Sequence, residues 1–258
     1  MTDQEAGAPD ATAPVQPPLG FSGIVASAGR VYRACLRQVF LPFVLSGLFV
    51  LLTLVLFALD IAENLSLPLA YVLVIVLPGL LFSLVIALTT LVFDGYIRGE
   101  RVGVANAIRQ LRSRRKDLFF SGFVAATMSL TFYALLPPMW FLFMVLFYGP
   151  PILIQVIALE DLGIQDAWAR TKMLMKGQWG RVVMALVTIA LAIGLIDSTI
   201  RGLAVELLGD VNRATALISV LLLQMLSAGF LYSYFAAACY VAYYDAEARF
   251  EEASDAAG

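Results

Sequence analysis

The distribution of basic residues between apolar segments is the feature that most constrains this chain. Six segments are apolar over the roughly 20 residues that a helix needs to cross the hydrocarbon of a membrane. They span 39–59, 67–93, 118–136, 139–159, 182–200 and 215–244. Fifteen of the seventeen Lys and Arg residues lie on alternate stretches between these segments, and only Arg201 and Arg213 lie on the other side. The positive-inside rule then predicts that both termini face the cytoplasm.

Composition agrees with a membrane protein. Hydrophobic residues make up 61% of the 258 residues and charged ones 14%, against roughly 45–50% and 25% in soluble domains. The expected fold class is all-α, a polytopic helical membrane protein with six transmembrane helices. Residues 1–20 carry three acids, four prolines and no base, which predicts a disordered N-terminal tail. The transmembrane domain is expected over 21–246, with a flexible acidic C-terminal tail over 247–258.

Three basic stretches indicate an internal repeat. Aligning 101–116 with 161–176 pairs Gly103 with Gly163, Ala107 with Ala167 and Lys116 with Lys176. In both stretches and in 24–37, apolar residues follow a helical period with bases opposite, which is typical of an amphipathic helix at a membrane surface. We therefore expect three repeats of an interfacial amphipathic helix plus a transmembrane hairpin. The alternative is that any basic segment beside a membrane has this pattern.

Acidic residues end the second helix of each predicted hairpin. Asp94, the pair Glu160 and Asp161, and Asp245 hold these positions. A negative charge opposes the dipole at a helix C-terminus, so we expect bases of the interfacial helices to compensate the acids and hold each hairpin to such a helix. The alternative is a ring of acids lining a cytoplasmic entrance.

The residue types of common enzyme chemistry are missing. The chain has no His, which removes the usual general base near neutral pH and the commonest metal ligand. Neither a G-x-S-x-G elbow nor a Gly-rich phosphate loop occurs. Cys35 and Cys239 are too isolated to indicate a disulfide framework or a zinc site. We predict a protein that is not an enzyme, with no catalytic residue, no cofactor and no metal.

Two groups of residues are candidate functional positions. Broken helices with nearby polar groups form binding sites in transporters, so the break in the fourth segment predicts a cavity involving Gly149, Pro150, Pro151, Gln155 and Gln224. A packing kink is the alternative, because prolines are frequent in transmembrane helices.

The second group consists of bases beside the membrane. Such bases attract anionic lipid, or they only set the orientation of the protein in the membrane. The candidate lipid or partner contacts are Arg109, Arg112, Arg114, Arg115, Lys116, Arg170, Lys172 and Lys176.

Three stretches together resemble a known family. They are GVANAIRQLRSRRKDLF, GIQDAWARTKMLMKGQWGR and CYVAYYDAEAR, and they are similar to the uncharacterised bacterial integral membrane family that includes the membrane domain fused to glycerophosphodiester phosphodiesterases. The resemblance covers about residues 20–250. It implies a six-helix membrane domain without assigned activity, since catalysis in the fused proteins belongs to a soluble phosphodiesterase half that this sequence does not contain.

These observations predict a multi-pass protein of the bacterial cytoplasmic (inner) membrane. We expect a non-enzymatic scaffold or accessory factor that contacts anionic membrane lipids, or a membrane or cytoplasmic protein partner, at the cytoplasmic face. The alternative is a small-solute or lipid transporter with a binding site near the broken fourth helix. No nucleic-acid partner is expected, and the net charge of −2 by itself says nothing about one.

Overall fold

A computed structural model describes residues 19–58, 77–100, 102–118, 152–207 and 213–256. The described part of the chain is helical and contains no strand, as the all-α prediction requires. Its helices are α1 Phe21–Ala58, α2 Leu77–Ile97, α3 Val104–Leu111, α4 Leu153–Glu160, α5 Ile164–Met175, α6 Trp179–Leu207 and α7 Arg213–Asp255.

The two longest helices, α1 and α7, pack against each other in antiparallel directions. Tyr32 meets Tyr234 with ring centroids 5.8 Å apart, and Phe40 meets Phe230 at 4.9 Å. Gly229 lies where the helices approach most closely, because a Cβ added there would be 2.7 Å from a methyl carbon of Val44. Gly229 therefore does not break α7. Its missing side chain makes room for α1.

The remaining helices surround this pair. Helix α2 packs on α1, α4 and α7, and α6 packs on α7. Small residues allow α7 to have several neighbours: Ala236, Ala237, Ala238, Ala242 and Ala246 are all fully buried.

Two segments of the described residues are long and apolar enough to cross a membrane, Trp179–Ile200 with mean hydropathy 2.2 and Met225–Asp255 with 1.4. They correspond to the predicted fifth and sixth spans.

The first predicted interfacial helix is not a separate element. Residues 24–37 continue without a break into the predicted span 39–59 as helix α1, which contains Pro42. A stripe of buried residues four apart passes through the expected junction, from Val31 and Cys35 to Val39 and Phe43, so continued burial favours one helix. Strict equivalence of three interfacial helices is therefore wrong. The segment 163–176 does form a short helix of its own, α5, whereas 103–116 is helical as α3 only up to Leu111, with a turn at 112–114.

All three segments nevertheless begin in the same way. Each starts with a glycine between two apolar residues, and the glycine carbonyl accepts the N–H of the residue four positions on. The pairs are Gly20 with Ile24 at 3.0 Å, Gly103 with Ala107 at 3.1 Å and Gly163 with Ala167 at 2.8 Å. The residue donating this bond is fully buried in every case, so the segments share their first turn although their lengths differ.

Other predictions fall partly outside the described residues. These are the tail up to residue 18, the second span before residue 77, the third span after Leu118, and the fourth span before Ile152. Helix α7 continues to Asp255, so residues 247–255 of the predicted flexible tail are helical. The six-span architecture stays a prediction.

Candidate functional site

Asp245 is the most deeply buried of the hairpin-end acids. Its side chain has no exposed surface and lies 2.5 Å from Nη2 of Arg181 and 3.3 Å from Nε of Arg249. The backbone N–H of Leu19 donates to Asp245 Oδ1 at 2.6 Å, and both arginines donate to the Leu19 carbonyl, at 2.5 and 3.0 Å. One carboxylate and two guanidinium groups therefore hold the backbone just before α1. No sequence signal indicated this contact, since it uses Leu19 only through its main chain.

Glu160 links the end of α4 to α5 and α7. Its Oε2 lies 2.8 Å from Nε of Arg170, and its Oε1 accepts the Tyr243 hydroxyl at 3.1 Å. Arg170 also lies 4.0 Å from Glu247 and places its guanidinium 4.9 Å from the ring centroid of Phe250. The sequence prediction of an acid compensated by an interfacial helix is confirmed for this pair.

Arg114 and Asp117 fix the segment after α3 to the ends of α4 and α5. Arg114 Nε lies 2.6 Å from Asp161 Oδ1, and its Nη1 donates to the carbonyls of Ile157 and Ala158 at the C-terminus of α4. Asp117 Oδ1 accepts the N–H of Ile164, the first residue of α5, at 3.1 Å. A cation at a helix C-terminus and an anion at an N-terminus both match the helix dipole.

Asp94 pairs within its own turn. Arg98 Nε lies 2.9 Å from Asp94 Oδ2, and the Tyr240 hydroxyl donates to Asp94 Oδ1 at 3.3 Å. The neighbouring carboxylate of Asp94 raises the pKa of the Arg98 guanidinium, which stays charged. All four hairpin-end acids thus have basic partners, but the prediction that interfacial helices supply them is wrong for Asp94 and Asp245, which pair with Arg98 and with Arg181 and Arg249. These ion pairs favour the interpretation that the acids hold the helices together over a ring of acids lining a cytoplasmic entrance. The sequence analysis did not anticipate the hydrogen bonds of Tyr240 and Tyr243 to these acids.

Four bases line one surface concavity instead of pairing with acids. The concavity, of about 580 Å³, is lined by Arg109, Arg112, Ser113, Arg115 and Lys116. Arg109 donates to Asn106 at 2.8 Å. Among the residues that the structure describes, no carboxylate lies within ion-pair distance of the four lining bases. We call this surface the basic concavity. It can bind an anion without first breaking an internal ion pair.

The other predicted basic contacts have different surroundings. Arg114 and Arg170 are held in the ion pairs described above. Lys172 places its ammonium 5.6 Å from the ring centroid of Trp168, and Lys176 is exposed. The structure therefore brings together only four of the eight candidates: Arg109, Arg112, Arg115 and Lys116.

The predicted helix-break site is only partly described. Gly149, Pro150 and Pro151 lie outside the described residues, as does the side chain of Gln224. Gln155 is fully buried in α4, and within the described part of the chain neither atom of its amide has a hydrogen-bond partner. Helix α4 packs on α2, where Thr90 has a buried hydroxyl that also lacks a hydrogen-bond partner among the described residues. Leaving such groups unpaired costs stability, so a polar group that bonded to either of them would stabilise the fold.

Comparison of the whole chain with protein-family models, with curated proteins and with solved structures finds no match. The resemblance of the three basic and tyrosine-rich stretches to a bacterial membrane family therefore stays a prediction.

Proposed function

We propose that this chain is a non-enzymatic integral membrane protein that contacts anionic lipid through the basic concavity, as a scaffold or accessory factor. The contrast between two sets of bases carries the proposal. Five bases form ion pairs with carboxylates of the same chain: Arg98, Arg114, Arg170, Arg181 and Arg249. The four bases of the concavity face outward together, and each base near an anionic leaflet gains about 1 kcal/mol.

The proposal places the protein in the inner membrane of a bacterium, with six spans and cytoplasmic termini. The exposed face of α6 supports a lipid environment. Met184, Leu191 and Leu195 lie on one side of this helix and expose 57%, 64% and 69% of their surface. Such a stripe is unfavourable in water and favourable against acyl chains. The alternation of basic stretches supports the orientation.

Lipid that copurifies with the protein tests the proposal. A variant with Arg109, Arg112, Arg115 and Lys116 all changed to Gln is expected to retain less anionic lipid, measured by mass spectrometry, than the unmodified chain. The matched control changes four exposed bases outside the concavity to Gln: Arg33, Arg37, Lys172 and Lys176. Equal loss from both variants would show that only overall charge matters. If the correctly oriented variant retains as much anionic lipid as the unmodified chain, the four bases serve only to set the topology.

A second candidate function is transport of a small solute or lipid, and Gln155 favours it. A buried amide that has no hydrogen-bond partner among the described residues fits a site that binds a polar solute. In a dry, empty site, Gln155→Leu is expected to raise stability by about 1–3 kcal/mol, because an unsatisfied amide is removed. In a site that holds a polar solute, the same change removes the contact and lowers the Tm of the purified protein. A raised Tm would therefore count against transport through this site.

A further inference from the structure

We infer that the basic concavity selects lipid headgroups carrying two or more negative phosphate charges over headgroups carrying one. This inference rests on the proposed function and names the class of lipid that the site takes. Such a headgroup carries either a phosphomonoester or a pair of phosphodiesters.

The backbone gives this surface its concave shape. Helix α3 ends at Leu111, residues 112–114 form a turn, and one further helical turn covers 115–118. Two lining bases, Arg109 and Arg112, come from the helix and its cap, and the other two, Arg115 and Lys116, follow the turn. An unbroken helix is convex and spreads such side chains apart. The turn directs bases from both of its sides toward one volume.

The opposite face of the same segment is fixed to the rest of the protein. Leu111 and Leu118 are buried, Arg114 donates to the end of α4, and Asp117 accepts from the start of α5. These anchors alternate with the outward bases along the chain. The backbone that carries the four bases is therefore held in place before a ligand arrives, so the entropy lost on binding comes mainly from their side chains.

The balance of charge points to a ligand with more than one negative charge. Four cations lie around the concavity, and none of the described residues that line it is a carboxylate. A single negative charge neutralises one of them and leaves three mutually repelling cations. Three of the four are arginines, whose planar guanidinium groups bind two phosphate oxygens at once. A doubly charged phosphate group supplies both the charge and the acceptors.

A neighbouring apolar side chain favours lipid as the source of the phosphate. Ile108 precedes Arg109 on α3 and exposes 55% of its surface. An exposed isoleucine beside the bases gains nothing from a phosphate free in water. It is stabilised where headgroups meet acyl chains, as on amphipathic helices at a membrane surface. The site thus offers apolar contact and cations together.

Native mass spectrometry of the full chain in detergent tests the selectivity. The protein is titrated separately with phosphatidylcholine, phosphatidylglycerol, phosphatidic acid and cardiolipin, which carry no net charge, one negative charge, a phosphomonoester and two phosphodiesters. We expect phosphatidic acid, cardiolipin or both to bind about fivefold more tightly than phosphatidylglycerol, a ratio equivalent to about 1 kcal/mol. Which of the two binds more tightly identifies the source of the charge.

Variants assign any preference to the concavity. Changing the four lining bases to Gln is expected to remove the preference, whereas the double variant Arg33→Gln, Arg37→Gln, in exposed bases outside the candidate contacts, preserves it. If the fourfold variant is not monodisperse, the double variant Arg112→Gln, Arg115→Gln is measured in its place, and an unchanged preference there would overturn the inference.

The remaining outcomes separate the inference from the proposed function. Equal binding of phosphatidic acid, cardiolipin and phosphatidylglycerol, all above phosphatidylcholine, would overturn the selectivity and leave the proposed function standing. Equal binding of all four lipids would overturn both. Complete displacement of bound lipid by millimolar inorganic phosphate would show recognition of phosphate alone and overturn the assignment to lipid.

Discussion

The guanidinium of Arg181 lies 2.5 Å from the carboxylate of Asp245, joining the first turn of α6 to the C-terminal part of α7. The carboxylate is fully buried, and it also holds the N–H of Leu19, which lies 226 residues away in the chain. Arg249 completes the arrangement from one turn further along α7. Residues from three distant parts of the chain therefore depend on one side chain.

Replacing Asp245 should destabilise the fold strongly. Asp245→Ala leaves two arginines and a backbone N–H without their common partner, and removing one member of a buried ion pair costs about 3–5 kcal/mol. Because Arg181 and Arg249 are partly exposed and can be hydrated, we expect the lower part of this range, measured as a lowered Tm by tryptophan fluorescence in detergent. Glu252→Ala, an exposed acid on the same helix, is the control. Equal Tm values for the two variants would contradict the role of Asp245.

A methyl group at position 229 should disturb the packing of α1 on α7. A Cβ there would lie 2.7 Å from Val44 and 2.8 Å from Phe40, and overpacking of this kind costs about 1–3 kcal/mol. Gly229→Ala is therefore expected to lower the Tm. Gly194→Ala in α6 meets nothing within 4 Å and gains helix propensity, so its Tm is expected to stay equal or rise. A lowered Tm for Gly194→Ala alone would show that the contacts around Gly229 do not govern stability.

The sequence predicts much of this fold because periodicity and local chemistry act over short distances. The two long apolar helical segments Trp179–Ile200 and Met225–Asp255, the short helices α3 and α5 and the pairing of Glu160 with Arg170 all follow from such signals. The continuity of α1 did not follow, because the bases of 24–37 resemble those of the other two stretches. Its difference lies in the burial of Val39 and Phe43, which depends on the partner helix α7.

The candidate site was predictable only in part for a related reason. The sequence predicts a row of bases, but it does not show which of them form ion pairs with acids of the same chain, because those acids are distant in the sequence. Arg114 and Arg115 are neighbours with the same chemistry, and only Arg114 reaches Asp161, 47 positions away. The basic concavity could therefore not be separated from the ion-pair network without the three-dimensional arrangement.

Arg114 and Arg115 should give opposite results when each is changed to Gln. Arg114→Gln loses the hydrogen bonds to the end of α4 and is expected to lower stability by about 1–2 kcal/mol. Its exposed partner Asp161 adds little to this loss. Arg115→Gln is expected to leave the Tm unchanged and to reduce bound anionic lipid. Measuring both Tm and copurified lipid for both variants provides an internal control, and a lipid loss confined to Arg114→Gln would contradict the assignment.

Cysteine labelling on intact cells tests the predicted orientation. Cys35 and Cys239 are each 2% exposed, and burial raises the pKa of Cys35 to about 12, so neither native thiol is expected to react at neutral pH. Asn64→Cys and Asn212→Cys should react with a membrane-impermeant maleimide, because their stretches are predicted to face outward. Ser113→Cys in the basic concavity should react only after the cells are permeabilised. Labelling of permeabilised cells is the control for all three variants, because it shows that each new thiol can react. Reaction of Ser113→Cys in intact cells would reverse the orientation and place the concavity away from the cytoplasmic leaflet. Protection of Asn212→Cys with reaction of Asn64→Cys would instead show that Trp179–Ile200 does not cross the membrane.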